Sequence, residues 1–125
     1  MDKKGLFKKL SNLNTFNPDE YFVLSGASLL AHDIIKQTFD IDLACSKDLY
    51  NSINWPTKIG AFGKEIKYFD CFEISNNLYD EGKYFTDLIG GYKFVKLEKV
   101  LEEKIALNRE KDLAVIEKLK TLLFK

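Results

Sequence analysis

The chain has 125 residues, the size of one domain, and its 46% hydrophobic and 30% charged residues exclude an intrinsically disordered protein. Nineteen basic residues balance nineteen acidic ones, so the net charge supplies no overall field that would draw the protein to nucleic acid or to an anionic membrane. The sequence shows no apolar run near the roughly 20 residues of a membrane-spanning helix and no signal-peptide pattern. We therefore expect a single cytoplasmic domain over residues 1–125, in which Cys45 and Cys71 are free thiols.

In chain order, hydrophobic periodicity and turn residues predict strands and short helices over the first 74 residues. The predicted helices cover residues 3–13, 28–35 and 47–54. The predicted strands cover residues 21–24, 38–44, 58–62 and 65–74, and the last two form a hairpin around Gly63-Lys64. We expect residues 20–74 to form the sheet core and the helical segment of residues 1–18 to lie against it.

The rest of the chain predicts mainly helix. Residues 75–91 mix turn residues with aromatic ones and give no readable pattern. Two helices are predicted over residues 97–107 and 110–124, within a C-terminal helical unit of residues 95–124. Strands followed by helices predict an α+β domain, with a short mixed β-sheet flanked by helices and two helices at its C-terminal end.

Two aspartates in the predicted strand over residues 38–44 are the most informative feature of the sequence. Alternate side chains of a strand point to opposite faces, which brings Asp40 and Asp42 together on one face, about 7 Å apart. The opposite, apolar face would consist of Phe39, Ile41 and Leu43. Because like charges repel and Asp is disfavoured in strands, the pair indicates a bound divalent cation such as Mg²⁺. A solvated strand face that carries two acids is the alternative.

A third acid, Asp70, lies in the apolar and aromatic run of residues 67–72. A carboxylate in such surroundings is seldom buried without a partner. If its strand lies beside the strand of Asp40 and Asp42, Asp70 completes a triad of metal ligands. The alternative is an acid at a strand end that pairs with a neighbouring lysine.

The turn after the first predicted strand is a candidate phosphate site. Gly26 allows a close approach of the backbone, the helix amides after it form an anion site, and Ser25 and Ser28 add hydroxyl donors. Gly26 precedes Asp40 by 14 residues, which is enough for one helix between two adjacent strands. We therefore expect the turn to hold a phosphate next to the carboxylates.

The two C-terminal helices carry polar residues on their apolar faces. Lys104 and Asp112 both fall on stripes of apolar residues, which predicts a buried or pocket-lining pair with Arg109 between them. Lys104 could contact a phosphate or extend past the edge of the core, whereas Asp112 is expected to be structural. The single histidine, His32, lies in an apolar helix and is expected to be packed or on the surface rather than catalytic.

These patterns together resemble the nucleotidyltransferase superfamily that includes DNA polymerase beta, and among its members the small bacterial abortive-infection-type nucleotidyltransferases. The resemblance covers roughly residues 20–120. It is carried by Phe22-Val23-Leu24-Ser25-Gly26-Ala27-Ser28, by Lys36-Gln37-Thr38-Phe39-Asp40-Ile41-Asp42-Leu43 and by the closing helices. Ala27 stands where the family has a second Gly or a Ser, and Lys36 stands where this branch commonly has Arg.

The resemblance implies metal-dependent transfer of a nucleoside monophosphate from a triphosphate such as ATP to a protein side chain, an RNA end or a small molecule. It also implies a toxin–antitoxin or phage-defence setting, with a toxin or antitoxin as partner. The residues expected to hold Mg²⁺ or Mn²⁺ and to carry the chemistry are Asp40, Asp42 and Asp70. The residues expected to hold the nucleotide are Ser25, Gly26, Ser28, Lys36 and Lys104. Two alternatives stay open: a catalytically silent module that binds a nucleotide or a partner on the same fold, and a nuclease-like metal hydrolase.

Overall fold

The computed structural model describes residues 1–60, 63–76 and 85–124, within which seven strands form one sheet. The strands are β1 (Tyr21–Val23), β2 (Ile41–Cys45), β3 (Thr57–Ile59), β4 (Glu65–Phe69), β5 (Phe72–Ser75), β6 (Thr86–Ile89) and β7 (Tyr92–Val95). The helices are α1 (Lys3–Ser11), α2 (Ser25–Ala31), α3 (Lys47–Ser52), α4 (Leu97–Leu107) and α5 (Leu113–Leu123). Single 3-10 turns at Pro18–Glu20 and Glu110–Asp112 lead into β1 and α5.

The sheet is mixed, with the strand order β3-β4-β5-β2-β1-β7-β6. Strand β1 runs antiparallel to β2 and parallel to β7, and β2 runs parallel to β5. The predicted α+β class and mixed sheet are confirmed. The sheet is longer than the short sheet expected from the sequence, because β6 and β7 form a further hairpin.

Several predicted boundaries shift in the first half of the chain. The helix predicted from residue 28 begins at Ser25, and the strand predicted from residue 38 begins at Ile41, whose amide donates to the Cys71 carbonyl at 2.8 Å. Phe39 therefore precedes the strand and is 86% exposed, instead of joining its apolar face. The start of β2 is fixed by its neighbour β5, which the local pattern does not reveal.

The strand predicted over residues 65–74 is two strands. Asp70 and Cys71 form a two-residue turn between β4 and β5, and Asp70 has a left-handed φ of +54°, a conformation that Asp tolerates better than most residues. The predicted hairpin with the preceding strand is confirmed by the pairing of β3 with β4. Residues 61 and 62 of that hairpin, and residues 77–84 of the unreadable segment, lie outside the described residues.

Two groups of buried apolar side chains hold the layers together. The first packs α1, α2 and α3 against the sheet, with Leu6, Ile41 and Leu43 at 0–1% exposure. The second packs α2 against α4 and α5 and includes Leu29 and Leu119. No helix within the described residues has both the length and the apolar character needed to cross a membrane.

Candidate functional site

Asp42 and Glu73 form the centre of the candidate site. The parallel pairing of β2 with β5 places Asp42 directly opposite Glu73, so both side chains project from the same face of the sheet. The two carboxyl groups lie within hydrogen-bonding reach of each other. Burial, the adjacent Glu73 carboxylate and the charge of Asp40 raise the pKa of Asp42 to about 6. The site therefore brings several acidic groups together on one face of the sheet.

We call Asp40, Asp42 and Glu73 the carboxylate cluster. Lys58 is a cation that contacts this cluster through Glu73. Its Nζ lies 2.6 Å from Glu73 Oε1 and 4.9 Å from the centre of the Tyr68 ring. The hydrogen bond to Glu73 raises the pKa of Lys58, and the charge of Lys58 partly offsets the rise in the pKa of Asp42. The Lys58 ammonium thus pairs with Glu73 and interacts electrostatically with Asp40 and Asp42.

The first two residues of α2, which we call the Ser25–Gly26 turn, lie beside the same strand. The amide of Leu24 donates to the Asp42 carbonyl at 2.8 Å, and β1 and β2 are neighbours, so the turn follows directly on a residue that is hydrogen-bonded to the Asp42 backbone. A Cβ at Gly26 would lie 3.1 Å from Thr38 Oγ1, so the turn packs tightly against the segment before β2. Ser25 has a left-handed φ of +45°. The turn therefore presents its backbone close to the start of β2.

The sequence predicts that Ser28 faces this turn, but the structure shows that it does not. Its side chain is fully buried, and its Oγ donates to the Val95 carbonyl at 2.5 Å. This hydrogen bond links α2 to the end of β7, and the buried hydroxyl is not accessible to a phosphate. We therefore leave Ser28 out of the candidate site. Its position three residues into α2, on the face that packs inward, explains the difference.

Asp70 pairs with a lysine instead of joining Asp42. Its Oδ2 accepts from Lys9 Nζ at 2.6 Å, which ties the β4–β5 turn to α1. Across the described residues, no three side chains of His, Cys, Asp or Glu converge closely enough to hold a metal ion. The expected triad of Asp40, Asp42 and Asp70 is therefore not formed. The alternative interpretation of Asp70, an acid at a strand end paired with lysine, describes its contacts.

Glu73 is the residue that the sequence analysis did not single out. The segment Phe72-Glu73-Ile74 repeats the apolar–acid–apolar pattern of Ile41-Asp42-Leu43. Had the two-residue turn at Asp70-Cys71 been recognised, this shared pattern would have indicated Glu73 as the acid on the polar face of the neighbouring strand.

The remaining predicted residues lie elsewhere. Lys104 is buried and contacts Asp112 through Nζ and Oδ1 at 3.2 Å, while Arg109 Nε contacts the other carboxyl oxygen at 2.7 Å. This confirms the predicted pair; a phosphate contact by Lys104 would require breaking it, so we leave Lys104 out of the site. Lys36 is exposed in the loop between α2 and β2.

His32 is packed, as expected. Its Nε2 lies 2.9 Å from Asp87 Oδ2, and its Nδ1 lies 2.8 Å from the Ser28 carbonyl. These contacts connect the end of α2 to β6. They account for both ring nitrogens, so His32 supports the fold.

Comparison with known proteins adds no relative to this description. No family model matches the chain, and the curated proteins and solved structures contain no significant match to it. The functional argument therefore depends on the residues of this chain.

Proposed function

We propose that this chain is a metal-dependent nucleotidyltransferase, which moves a nucleoside monophosphate from a nucleoside triphosphate to an acceptor. The observation that carries the proposal is the position of Asp42, which lies opposite Glu73 on β5 and beside the Ser25–Gly26 turn. The proposal takes these carboxylates as the cation site and the neighbouring turn as the phosphate site. A toxin–antitoxin setting rests on the family resemblance alone.

The donor set suits Mg²⁺ or Mn²⁺ that is shared with a nucleotide. Mg²⁺ typically takes one or two protein carboxylates and completes its shell with phosphate oxygens and water, so three convergent protein ligands are not required. Asp42 and Asp40 would hold the ion, and a cation there would favour the ionised form of Asp42, whose pKa is raised by burial and by the charges of Glu73 and Asp40. When bound, the ion would neutralise negative charge on the phosphates.

The chain's own residues would bind and orient the reactants. Backbone amides of the Ser25–Gly26 turn would hold the triphosphate, since the first amides of a helix have no partner within it. Glu73 would accept the proton of the acceptor hydroxyl as its oxygen attacks the α-phosphorus and pyrophosphate leaves. Glu73 thus takes the role that the sequence analysis gave to Asp70.

A binding module without catalysis is the second candidate. It is favoured by the ion pair between Lys58 and Glu73, which already neutralises the acid that would accept the proton. In this case the chain would bind a nucleotide, or a protein partner at the same face, without releasing pyrophosphate.

Labelling with radioactive nucleotide tests the proposal. The purified chain is incubated with α-phosphate-labelled ATP or CTP, Mg²⁺ or Mn²⁺, and protein and RNA from cells, and both label transfer and pyrophosphate release are measured. We expect Asp42→Asn and Glu73→Gln to abolish both signals. Glu102→Gln is a matched control, because Glu102 is exposed on α4 and pairs only at the surface with Lys99.

Asp70→Asn decides between the two assignments of the third acid. Activity retained in Asp70→Asn and lost in Glu73→Gln supports the site described here, and the opposite result restores the triad expected from the sequence. Calorimetric binding of Mg-ATP without pyrophosphate release would favour the binding module. If the chain shows no binding and no transfer with any nucleoside triphosphate, both candidates are refuted.

A further inference from the structure

His32 follows helix α2 directly and is the only histidine in the sequence. Its Nδ1 lies 2.8 Å from the Ser28 carbonyl oxygen, and its Nε2 lies 2.9 Å from Asp87 Oδ2 on β6. A carbonyl oxygen and an ionised carboxylate accept hydrogen bonds but donate none. Both contacts are therefore hydrogen bonds only when both ring nitrogens carry a proton, which is the positively charged imidazolium.

A neutral His32 ring cannot make both hydrogen bonds. It has one N–H group and one nitrogen with a lone pair, so the lone pair would face an oxygen of either Ser28 or Asp87. The Ser28 hydroxyl does not replace the missing donor, because it lies 3.4 Å from Nδ1 and donates to the Val95 carbonyl at 2.5 Å. Loss of one proton therefore turns one of the two contacts into a repulsive contact.

The contact between His32 and Asp87 is sheltered from water on the histidine side. Only 13% of the His32 side chain is exposed, against 42% of the Asp87 side chain. If the contact breaks, water solvates the carboxylate well but reaches little of the ring. Asp87 Oδ1 also lies 3.6 Å from Lys96 Nζ, so a second cation remains beside this carboxylate when His32 is neutral.

Three other charged residues lie near the ring. Asp33 is the next residue in the chain, and Glu117 and Lys118 of α5 line the same groove as His32. Asp33 pairs with Lys3 at the surface, and the Lys118 ammonium donates to a backbone carbonyl of the loop after α2. The acid that contacts a ring nitrogen is Asp87, from a different element of the fold.

We propose that His32 and Asp87 form a pH-sensitive switch, which holds the end of α2 against the β6–β7 hairpin when His32 is protonated and releases it when His32 is neutral. Deprotonation removes an N–H donor and a positive charge together, whereas Lys96 still offers Asp87 a cation. Histidine side chains ordinarily change their charge between about pH 5 and 8, so we expect the switch to act in this range. It is independent of the proposed function, because it uses no residue of the carboxylate cluster.

Nuclear magnetic resonance of the imidazole ring tests the switch, because a single histidine gives a single set of ring signals. The full chain is labelled with ¹⁵N and titrated from about pH 5 to 9. The chemical shifts of Nδ1 and Nε2 distinguish the imidazolium from each neutral tautomer. We expect an imidazolium at the acidic end and, as the ring loses its proton, simultaneous changes in the backbone amide signals of β6 and of the end of α2.

Asp87→Asn and Glu117→Gln form a matched pair of variants, since each neutralises one acid near His32 but only the first changes a partner of the ring. Asp87→Asn should abolish the amide changes, and Glu117→Gln should keep them. Urea denaturation gives a second measurement, because a charged ring that pairs with Asp87 stabilises the fold at low pH and this contribution is lost as the pH rises. Between pH 6 and 8, the unfolding constant of the wild type should rise about two- to fivefold more than that of Asp87→Asn.

Three results would overturn the proposal. A neutral His32 ring in the folded chain at pH 5 would show that the two contacts do not require the imidazolium. Amide signals of β6 that stay constant while the ring titrates would show that the contact is not released. Equal pH responses of the wild type and Asp87→Asn would show that Asp87 is not the partner. If Asp87→Asn does not fold, His32→Gln replaces it and should likewise lack the amide changes.

Discussion

Lys104 and Asp112 form a buried ion pair that joins the two C-terminal helices, with 3.2 Å between Lys104 Nζ and Asp112 Oδ1 and each side chain only 9% exposed. Burial opposes ionisation of Asp112, but the hydrogen bonds from Lys104 and Arg109 outweigh it and hold the pKa of Asp112 below its usual range. The pair therefore stabilises the fold in its charged form.

Removing one partner of this pair should be strongly destabilising. Asp112→Ala leaves the Lys104 ammonium buried without its counterion, and we expect a loss of about 3 kcal/mol in the free energy of unfolding. Urea denaturation followed by circular dichroism measures the loss. The double variant with Lys104→Met should lose less than the sum of the single variants, because the two residues interact. Fully additive losses would show that the pair contributes no coupling.

The pH dependence of stability should report on Asp42. A carboxyl group whose pKa is higher in the folded than in the unfolded protein stabilises the fold at low pH, and that contribution disappears as the pH rises through the folded value. For Asp42 this window runs from about pH 4, near its ordinary pKa, to about 6. Asp42→Asn should remove this decline and raise the free energy of unfolding at pH 7 by about 1–2 kcal/mol.

Denaturation curves of Asp42→Asn between pH 4 and 8 provide the measurement. Asp33→Asn is a suitable control, because Asp33 is 75% exposed and pairs with Lys3 at the surface. Its pH profile should follow that of the wild type. A lower stability of Asp42→Asn than of the wild type at pH 7 would contradict the raised pKa of Asp42.

Two adjacent glycines offer a matched comparison in the β6–β7 turn. Gly90 and Gly91 both have a left-handed φ, but only at Gly90 would a Cβ meet a neighbour, namely Phe7 Cε1 at 2.7 Å. Gly91→Ala should therefore cost about 1 kcal/mol from the backbone conformation alone. Gly90→Ala adds a steric clash with a ring of α1 and should cost about 2–3 kcal/mol in total.

Thermal and urea denaturation of the two glycine variants test the packing of α1 on this turn. Phe7→Leu removes the ring atoms in question, so Gly90→Ala should cost less in that background than in the wild type. Equal costs for Gly90→Ala and Gly91→Ala would show that α1 does not press on the turn.

Local periodicity accounts for the features that the sequence predicted well. The 3.6-residue repeat placed Lys104 and Asp112 on apolar helix faces, and it required no knowledge of neighbouring elements. The spacing between Gly26 and Asp40 likewise correctly indicated two adjacent strands joined by a helix. Both inferences depend on residues close together in the chain.

Pairing between distant strands accounts for what the sequence did not reveal. Asp70 and Glu73 are only three residues apart, yet one lies in a turn against α1 and the other faces Asp42. The outcome depends on where β4 ends and on the register of β5 with β2. A shift of one residue in a strand reverses which face each side chain occupies, so a local pattern cannot choose between the two acids.

Helix α2 connects the candidate site to the β6–β7 hairpin. Its first residue, Ser25, follows Leu24, whose amide donates to the Asp42 carbonyl on β2, whereas Ser28 and His32 contact Val95 and Asp87 of the β6–β7 hairpin on the other side of β1. Because α2 has only seven residues, we expect it to move as one rigid unit. We therefore expect a substitution in the β6–β7 hairpin that shifts Val95 or Asp87 to move the N-terminal end of α2 as well, although the hairpin does not touch the carboxylate cluster.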